Sequence, residues 1–146
     1  MTYYGQYIPK IIEISYGEAN LAGTLTDEKI YLTGLQGYVT EYPVKFNGTI
    51  TQWWFSFDNS DGNYTAWSSG TLQIKILVNG SVEYTGPVWT KSSYDASITY
   101  SNADVKIINT NLSIPVVVGD LITVTFTTSS FVPSNTADIT TNLVLE

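Results

Sequence analysis

Apolar and polar residues alternate along most of the chain after residue 28, and turn residues interrupt the alternation about every ten positions. Residues 71–78 (TLQIKILV) are the clearest example, because four apolar side chains fall on one face: Leu72, Ile74, Ile76 and Val78. No segment shows the period of a helix. The pattern therefore predicts an all-β protein, an antiparallel β-sandwich of about eight or nine strands.

A hairpin is expected directly after this strand. Asn79-Gly80 is a dipeptide that accepts the positive φ angles of a type I′ turn. The following strand, SVEYT, is expected to place Val82 and Tyr84 on one face. Longer loops, rich in Ser, Asn, Gly or Pro, are predicted at residues 58–70, 86–95 and 129–137.

Two adjacent tryptophans, Trp53 and Trp54, lie in a predicted strand within NGTITQWWFSFDNSDG, residues 47–62. Side chains alternate between the two faces of a strand, so at most one of the pair can face the core. Tryptophan is mostly buried, which favours Trp53 as a core residue. Exposed tryptophans stack on sugar rings or anchor protein interfaces, so the outer face of this strand is a candidate site.

The length of 146 residues fits one domain. Residues 1–28 are interpreted as an N-terminal arm with one strand, KIIEI at residues 10–14, and residues 29–146 as the sandwich domain. The arm either crosses to a neighbouring subunit or packs on its own domain, and an ordinary first strand is the favoured interpretation. No run of about 18 apolar residues occurs, so no membrane span is expected.

The side-chain chemistry is poor in catalytic groups. The chain has no histidine, arginine or cysteine, which excludes Ser-His-Asp and Cys-His nucleophile systems, disulfides, and imidazole or thiolate metal sites. The net charge of −7 has the wrong sign for binding nucleic acid. We therefore expect no enzymatic activity, no cofactor and no nucleic-acid partner.

A weak calcium site is considered at Asp58 and Asp61, within FDNSDGNYT. Asp and Asn supply the oxygen ligands that Ca²⁺ prefers, but their order does not match an EF-hand loop. A turn rich in Asn and Asp is the favoured interpretation, and no metal site is expected.

Four segments, YPVKFNGTITQWWFSFD, GTLQIKILVNG, LSIPVVVGDLITVTF and ADITTNLVLE, together resemble a jelly-roll domain of virion proteins. That family includes tailed-phage fibre and baseplate proteins and archaeal-virus structural proteins. The resemblance covers residues 39–146, and the residues that match its strand motif and its later turn are Phe46, Gly48, Ile50, Trp53, Gly119 and Asp120. These positions are expected to maintain the fold, with Gly119 supplying a turn conformation and Asp120 bonding backbone amides at a strand start.

The matched strand has a consequence for the tryptophan pair. Ile50 and Trp53 have opposite parity, so both can face the core only if an extra residue bulges at Thr51 or Gln52. Trp54 then points outward, where the family pattern has a small polar residue. We expect another chain or the N-terminal arm to cover it.

The resemblance implies a structural or attachment protein of the virion, a homo-oligomer such as a trimer or pentamer that also contacts other virion proteins. Interface candidates are Trp54, Tyr3, Tyr4, Tyr7, Ile11 and Ile12. One alternative is a non-catalytic carbohydrate-binding module that stacks Trp54, Trp67 or Trp89 on a host surface glycan. Another is a secreted filament or surface-layer subunit on the extracellular surface, whose KIIEI strand fills a groove in the next molecule.

Overall fold

A computed structural model describes residues 10–18, 23–33, 39–59, 67–97, 99–101, 104–109, 111–133 and 137–146. In these ranges it contains thirteen strands and one helix. In chain order they are β1 (Ile12–Glu18), β2 (Gly23–Lys29), β3 (Tyr31–Leu32), β4 (Tyr42–Pro43), β5 (Gly48–Asn59), β6 (Trp67–Val78), β7 (Ser81–Thr85), β8 (Trp89–Thr90), α1 (Lys91–Ser97), β9 (Thr99–Ser101), β10 (Asp104–Asn109), β11 (Ile114–Val116), β12 (Leu121–Pro133) and β13 (Ala137–Leu145).

The strands form two antiparallel sheets that pack around one core in a sandwich-like arrangement, which confirms the all-β prediction. Sheet A has the order β3-β1-β13-β5-β10-β9, with β11 also paired to β5. Sheet B has the order β2-β12-β6-β7, with β4 paired to β12 and β8 to β6. The strand count exceeds the expected eight or nine because several strands are pieces of two or three residues, too short to leave a periodic signal.

The N-terminal strand β1 is integrated into sheet A of its own chain. It pairs with β13 along its whole length, from Ile12 opposite Leu145 to Glu18 opposite Ile139. The next strand, β2, pairs with β12 in sheet B. The segment interpreted as an arm thus contributes one strand to each sheet.

A buried tyrosine links the two sheets. Tyr16 in β1 is fully buried, and its hydroxyl donates a hydrogen bond to the carbonyl oxygen of Ile122 in β12, at 2.8 Å. Burial, with a smaller contribution from Tyr42, raises the pKa of the Tyr16 hydroxyl well above its usual range. The hydroxyl therefore stays protonated and acts as a donor between the sheets.

A β-bulge in β5 decides which tryptophan faces the core. Val144 pairs with Gln52 and Leu145 pairs with Ile50, so Thr51 is the extra residue on β5. Ile50 is 0% exposed and Trp53 is 1% exposed. The predicted bulge and the predicted core position of Trp53 are both confirmed.

The Asn79-Gly80 hairpin is also confirmed, because Asn79 has a φ of 51° and Gly80 a φ of 80°. The prediction that Val82 and Tyr84 share a face is wrong. Val82 pairs with Leu77, whereas Tyr84 pairs with Ile76, so Glu83 is an extra residue on β7. This bulge turns Tyr84 towards the core and leaves Val82 52% exposed.

The expectation that the chain contains no helix is wrong, because α1 begins within the predicted loop at residues 86–95. Its first turn is capped from both directions. The Ser93 amide donates to Thr90 Oγ1 at 3.2 Å, and the Thr90 amide donates to Ser93 Oγ at 2.8 Å. Such a reciprocal cap, together with the burial of Tyr94, stabilises a seven-residue helix that is too short to show a helical period.

The other two predicted loops are shorter than expected. Strand β5 continues to Asn59 and β6 begins at Trp67, while β12 continues to Pro133. Ser130 interrupts β12 with a φ of 47°, and its carbonyl oxygen lies where a side chain at Gly70 would be. The strands bend at this point instead of ending.

Candidate functional site

Trp54 lies on the outer face of sheet A and is held by β1. Its indole Nε1 donates a hydrogen bond to Glu13 Oε1 at 2.9 Å. Trp54 and Glu13 are on strands separated by β13, so their backbones are about 10 Å apart. The indole must therefore extend across β13 to reach the carboxylate.

The residues under this bridge are buried although they face away from the core. Asn142, directly opposite Trp54 in β13, is 3% exposed, and Val144 is 8% exposed. Ser15 Oγ donates to Asn142 Oδ1 from the other side. Trp54 thus contacts the N-terminal segment, as expected, and covers a polar patch on the outer face.

Trp53 lies on the opposite face, in an aromatic cluster inside the sandwich. Its ring stacks on the ring of Phe55, with 5.3 Å between the ring centroids, and its centroid lies 6.1 Å from that of Tyr84. The centroid of Phe55 also lies 6.3 Å from that of Trp89 and 6.0 Å from that of Tyr94. Trp89 therefore packs within the sandwich, and the structure does not bring it to the same face as Trp54.

The matched strand residues other than the tryptophan have structural positions. Phe46 packs against the core, with Lys10 Nζ 5.5 Å from its ring centroid. A side chain at Gly48 would lie 2.4 Å from the carbonyl oxygen of Glu146. The backbone of β5 can approach the C-terminal residue only because position 48 has no Cβ.

The Gly119-Asp120 turn precedes β12, the penultimate strand. Gly119 has a φ of 95°, which favours glycine. Asp120 Oδ2 accepts from the Val117 amide at 2.8 Å and Oδ1 accepts from Asn79 Nδ2 at 2.8 Å. The expectation that Asp120 bonds the amide at the strand start is wrong in detail, because Asn79 Oδ1 accepts from Leu121 N at 2.9 Å instead.

These bonds also set the ionisation of Asp120. The hydrogen bond from the Val117 amide is the largest influence and that from Asn79 the next, and together they hold the pKa of Asp120 below its ordinary value. The ionised carboxylate therefore ties the turn at residues 117–120 to the Asn79-Gly80 hairpin.

Exposed aliphatic side chains gather at this end of the sandwich. We call the surface formed by Val82, Val117, Val118 and Leu121 the valine end. Their exposed fractions are 52%, 54%, 62% and 36%, and they are four of the seven exposed large apolar residues in the part of the chain that the structure describes. The hydrogen bonds of Asp120 and Asn79 reach the backbone of Val117 and Leu121, two members of this surface.

A groove of about 340 Å³ lies beside β1, at the β3 margin of sheet A. We call it the β1 groove; it is lined by Glu13, Ile14, Ser15, Leu32, Thr33 and Tyr42. Ile14 and Leu32 belong to the core, so the groove opens between the two sheets where β3 ends.

Two of the remaining interface candidates, Ile11 and Ile12, lie within the described residues. Ile11 is 60% exposed, and Ile12 is partly buried against the core. Tyr3, Tyr4, Tyr7 and Asp61 lie outside the described residues, as do the side chains of Trp67 and Asp58.

Sequence analysis did not single out Glu13 or the exposed valines. Glu13 gives no local signal, because its partner Trp54 is set by the strand order. The run Val116, Val117 and Val118 did carry one, because consecutive strand residues cannot all face a core. Val116 is 3% exposed, and the next two are the exposed ones.

No protein-family model matches this chain, and no curated protein matches it. In the residues that the structure describes, no helix is long and apolar enough to cross a membrane.

Proposed function

We propose that this protein is a non-catalytic structural subunit of a virus particle, and that it acts through contacts with other copies of itself and with other virion proteins. The observation that carries the proposal is the valine end. Clustered exposed aliphatic residues on a rigid surface mark protein interaction sites. The sequence resemblance supplies the class of assembly.

The strand order supports a jelly-roll plan. The long strands β1, β13, β5 and β10 are neighbours in sheet A, and β2, β12, β6 and β7 are neighbours in sheet B. Chain-consecutive strands such as β1 and β2, β5 and β6, or β12 and β13 thus lie in different sheets. Eight strands connected in this way characterise jelly rolls, which occur in viral capsid and lectin domains.

The positions of the matched residues support a structural role for the motif. Ile50 and Trp53 are core residues, Gly48 allows a close backbone approach, and Gly119 forms a turn. None of these side chains projects into solvent as a reactive group would. The motif therefore maintains the scaffold, and the contacts lie elsewhere on it.

The valine end suits a repeated contact between copies. Three of its four side chains are valines, which are short and β-branched, so they lose little rotamer entropy on burial. The hydrogen-bonded turn below them needs no rearrangement when a partner binds. We propose a closed ring, a trimer or a pentamer, with this surface at the subunit boundary.

Val118→Asp tests the proposal, with Val88→Asp as the matched control. Val118 is 62% exposed and Val88 is 57% exposed. Val88 precedes β8, whose Trp89 pairs with Leu72, whereas Val82 of the valine end pairs with Leu77, five residues further along β6. Light scattering coupled to size exclusion should give a parent mass that is a multiple of three or five times 16.1 kDa. We expect Val118→Asp to lose the trimer or pentamer and Val88→Asp to assemble like the parent.

Two results would contradict the proposal. One is a parent protein that remains monomeric at all accessible concentrations. The other is equal assembly of the two variants, which would place the contact away from the valine end.

A further inference from the structure

We infer that the open edge of β1 is a second contact, at which β1 of one copy pairs with β1 of another across a two-fold axis. This inference deepens the proposed assembly function and rests on it. It concerns a different surface from the valine end and names a different partner element.

The first step concerns which backbone groups of β1 are free. The Thr33 amide donates to the carbonyl oxygen of Ser15 at 3.0 Å, on the edge of β1 that faces away from β13. Alternate residues of a strand direct their N–H and C=O groups to the same edge. Glu13 and Ile11 therefore direct theirs to this edge too.

The second step concerns how much of this edge is covered. In the residues that the structure describes, β3 pairs only with Tyr16 and Gly17, and Thr33 reaches Ser15. The polar groups of Ile11 and Glu13 face the open part. Unpaired edge groups of this kind are a template for a further strand.

The third step fixes the register. Among the described residues, Ile11 and Glu13 are the ones available, and the symmetric antiparallel pair that uses both sets Ile11 opposite the partner's Glu13, with the two-fold axis at Ile12. Two residue pairs then form, and each exchanges two main-chain hydrogen bonds. A register centred on Glu13 is disfavoured, because it sets two carboxylates opposite each other.

The side chains agree with this register. Ile11 is 60% exposed and would lie opposite the Cβ of the partner's Glu13, whose carboxylate extends towards Trp54. Ile12 faces its own copy on the core side of the sheet. These apolar contacts remove from water the exposed residue that the chain carries at this edge.

A charge pair of variants at one position tests the register. In Ile11→Glu the new carboxylate lies opposite the partner's Glu13. In Ile11→Lys an ammonium group lies opposite the same carboxylate. Both variants remove the same apolar side chain from an exposed position. Because the two-fold axis repeats the contact, we expect Ile11→Lys to dimerise at least about tenfold more tightly than Ile11→Glu.

The measurement is sedimentation equilibrium of the full chain in the Val118→Asp background, which isolates this contact from the valine end. Thermal melts of the monomers should be alike for both variants, since Ile11 is exposed. Equal dissociation constants, or no dimer in any of these proteins, would overturn the inference.

Hydrogen exchange gives an independent readout. The Glu13 amide should become protected as protein concentration rises, whereas the Ile12 amide, which faces β13, should be protected at every concentration. Protection of Glu13 that does not depend on concentration would assign the edge to the chain's own residues and overturn the inference. If Val118→Asp abolishes the rings while this dimer persists, both proposals stand. If Val118→Asp abolishes the rings and no dimer forms, only the second proposal is contradicted.

Discussion

Trp53 and Trp54 are neighbours in β5, but they lie in two different environments. Trp53 is 1% exposed and stacks on Phe55 within the sandwich. Trp54 is half-buried on the outer face, where it donates a hydrogen bond to Glu13. Tryptophan thus fills space in the core at position 53, whereas at position 54 it links two strands through a hydrogen bond.

The bulge at Thr51 decides which tryptophan takes which position. Without the extra residue, Ile50 would share a face with Trp54, and Trp53 would point outward. One inserted residue thus exchanges the inner and outer faces for the rest of the strand. The contrast between the two tryptophans is a property of the register.

Deletion of Thr51 should have the largest effect, because it removes the basis of the contrast. The strand must then expose either Ile50 or the pair Trp53 and Phe55. We expect a loss of unfolding free energy that exceeds the cost of a single large-to-small core substitution, or no cooperative unfolding at all. Urea denaturation followed by tryptophan fluorescence measures it. A deletion variant as stable as the parent would show that the bulge is dispensable.

Trp53→Ala should cost about 3–5 kcal/mol of unfolding free energy, because it leaves a cavity in the aromatic cluster. Trp53→Phe is the matched control. The buried Nε1 of Trp53 has no hydrogen-bond partner among the described residues, so the control loses volume but no bond. Denaturant titrations of both variants should show a much smaller loss for Trp53→Phe.

Trp54→Phe should cost about 0.5–1.5 kcal/mol, because it removes the donor to Glu13 while an aromatic ring remains over β13. Glu13→Gln keeps an acceptor at the same place and should cost less. Thermal melts at low salt compare the two. Equal and negligible effects would mean that the hydrogen bond between Trp54 and Glu13 does not stabilise the sheet.

Asp120→Asn should have the smallest effect and a defined pH dependence. The pKa of Asp120 is lowered in the folded protein, so the unfolded chain binds its proton more readily. The stabilisation is therefore present above the ordinary Asp pKa of about 3.9, and it is lost as pH falls through the folded value. The difference in melting temperature between parent and variant should be visible near neutral pH and disappear in acid. A difference that does not change with pH would assign the effect to something other than the carboxylate charge.

The two bulges show which features of the fold a local sequence pattern can predict. The bulge at Thr51 was predictable because Ile50 and Trp53 conflict in parity unless a residue is inserted. The bulge at Glu83 was not, because the pattern of Val82 and Tyr84 is consistent with an unbroken strand. Only the pairing with β6 shows which of the two faces the core.

Helix α1 was not predicted, for a related reason. Seven residues give less than two periods of an amphipathic pattern. Its stability comes from the reciprocal bonds of Thr90 and Ser93 and from the burial of Tyr94 against Phe55. The second of these depends on a strand some forty positions away.

The sequence by itself determined the all-β class, the Asn79-Gly80 turn and the inward position of Trp53, because alternation, turn geometry and parity act between near neighbours. Only the tertiary structure decided that Trp54 reaches Glu13, that Val117 and Val118 share one end with Val82, and that β3 pairs with only part of β1 in the described residues. Each of these depends on which strands lie side by side. Strand order is set by packing the whole core, and no local stretch of the chain encodes it.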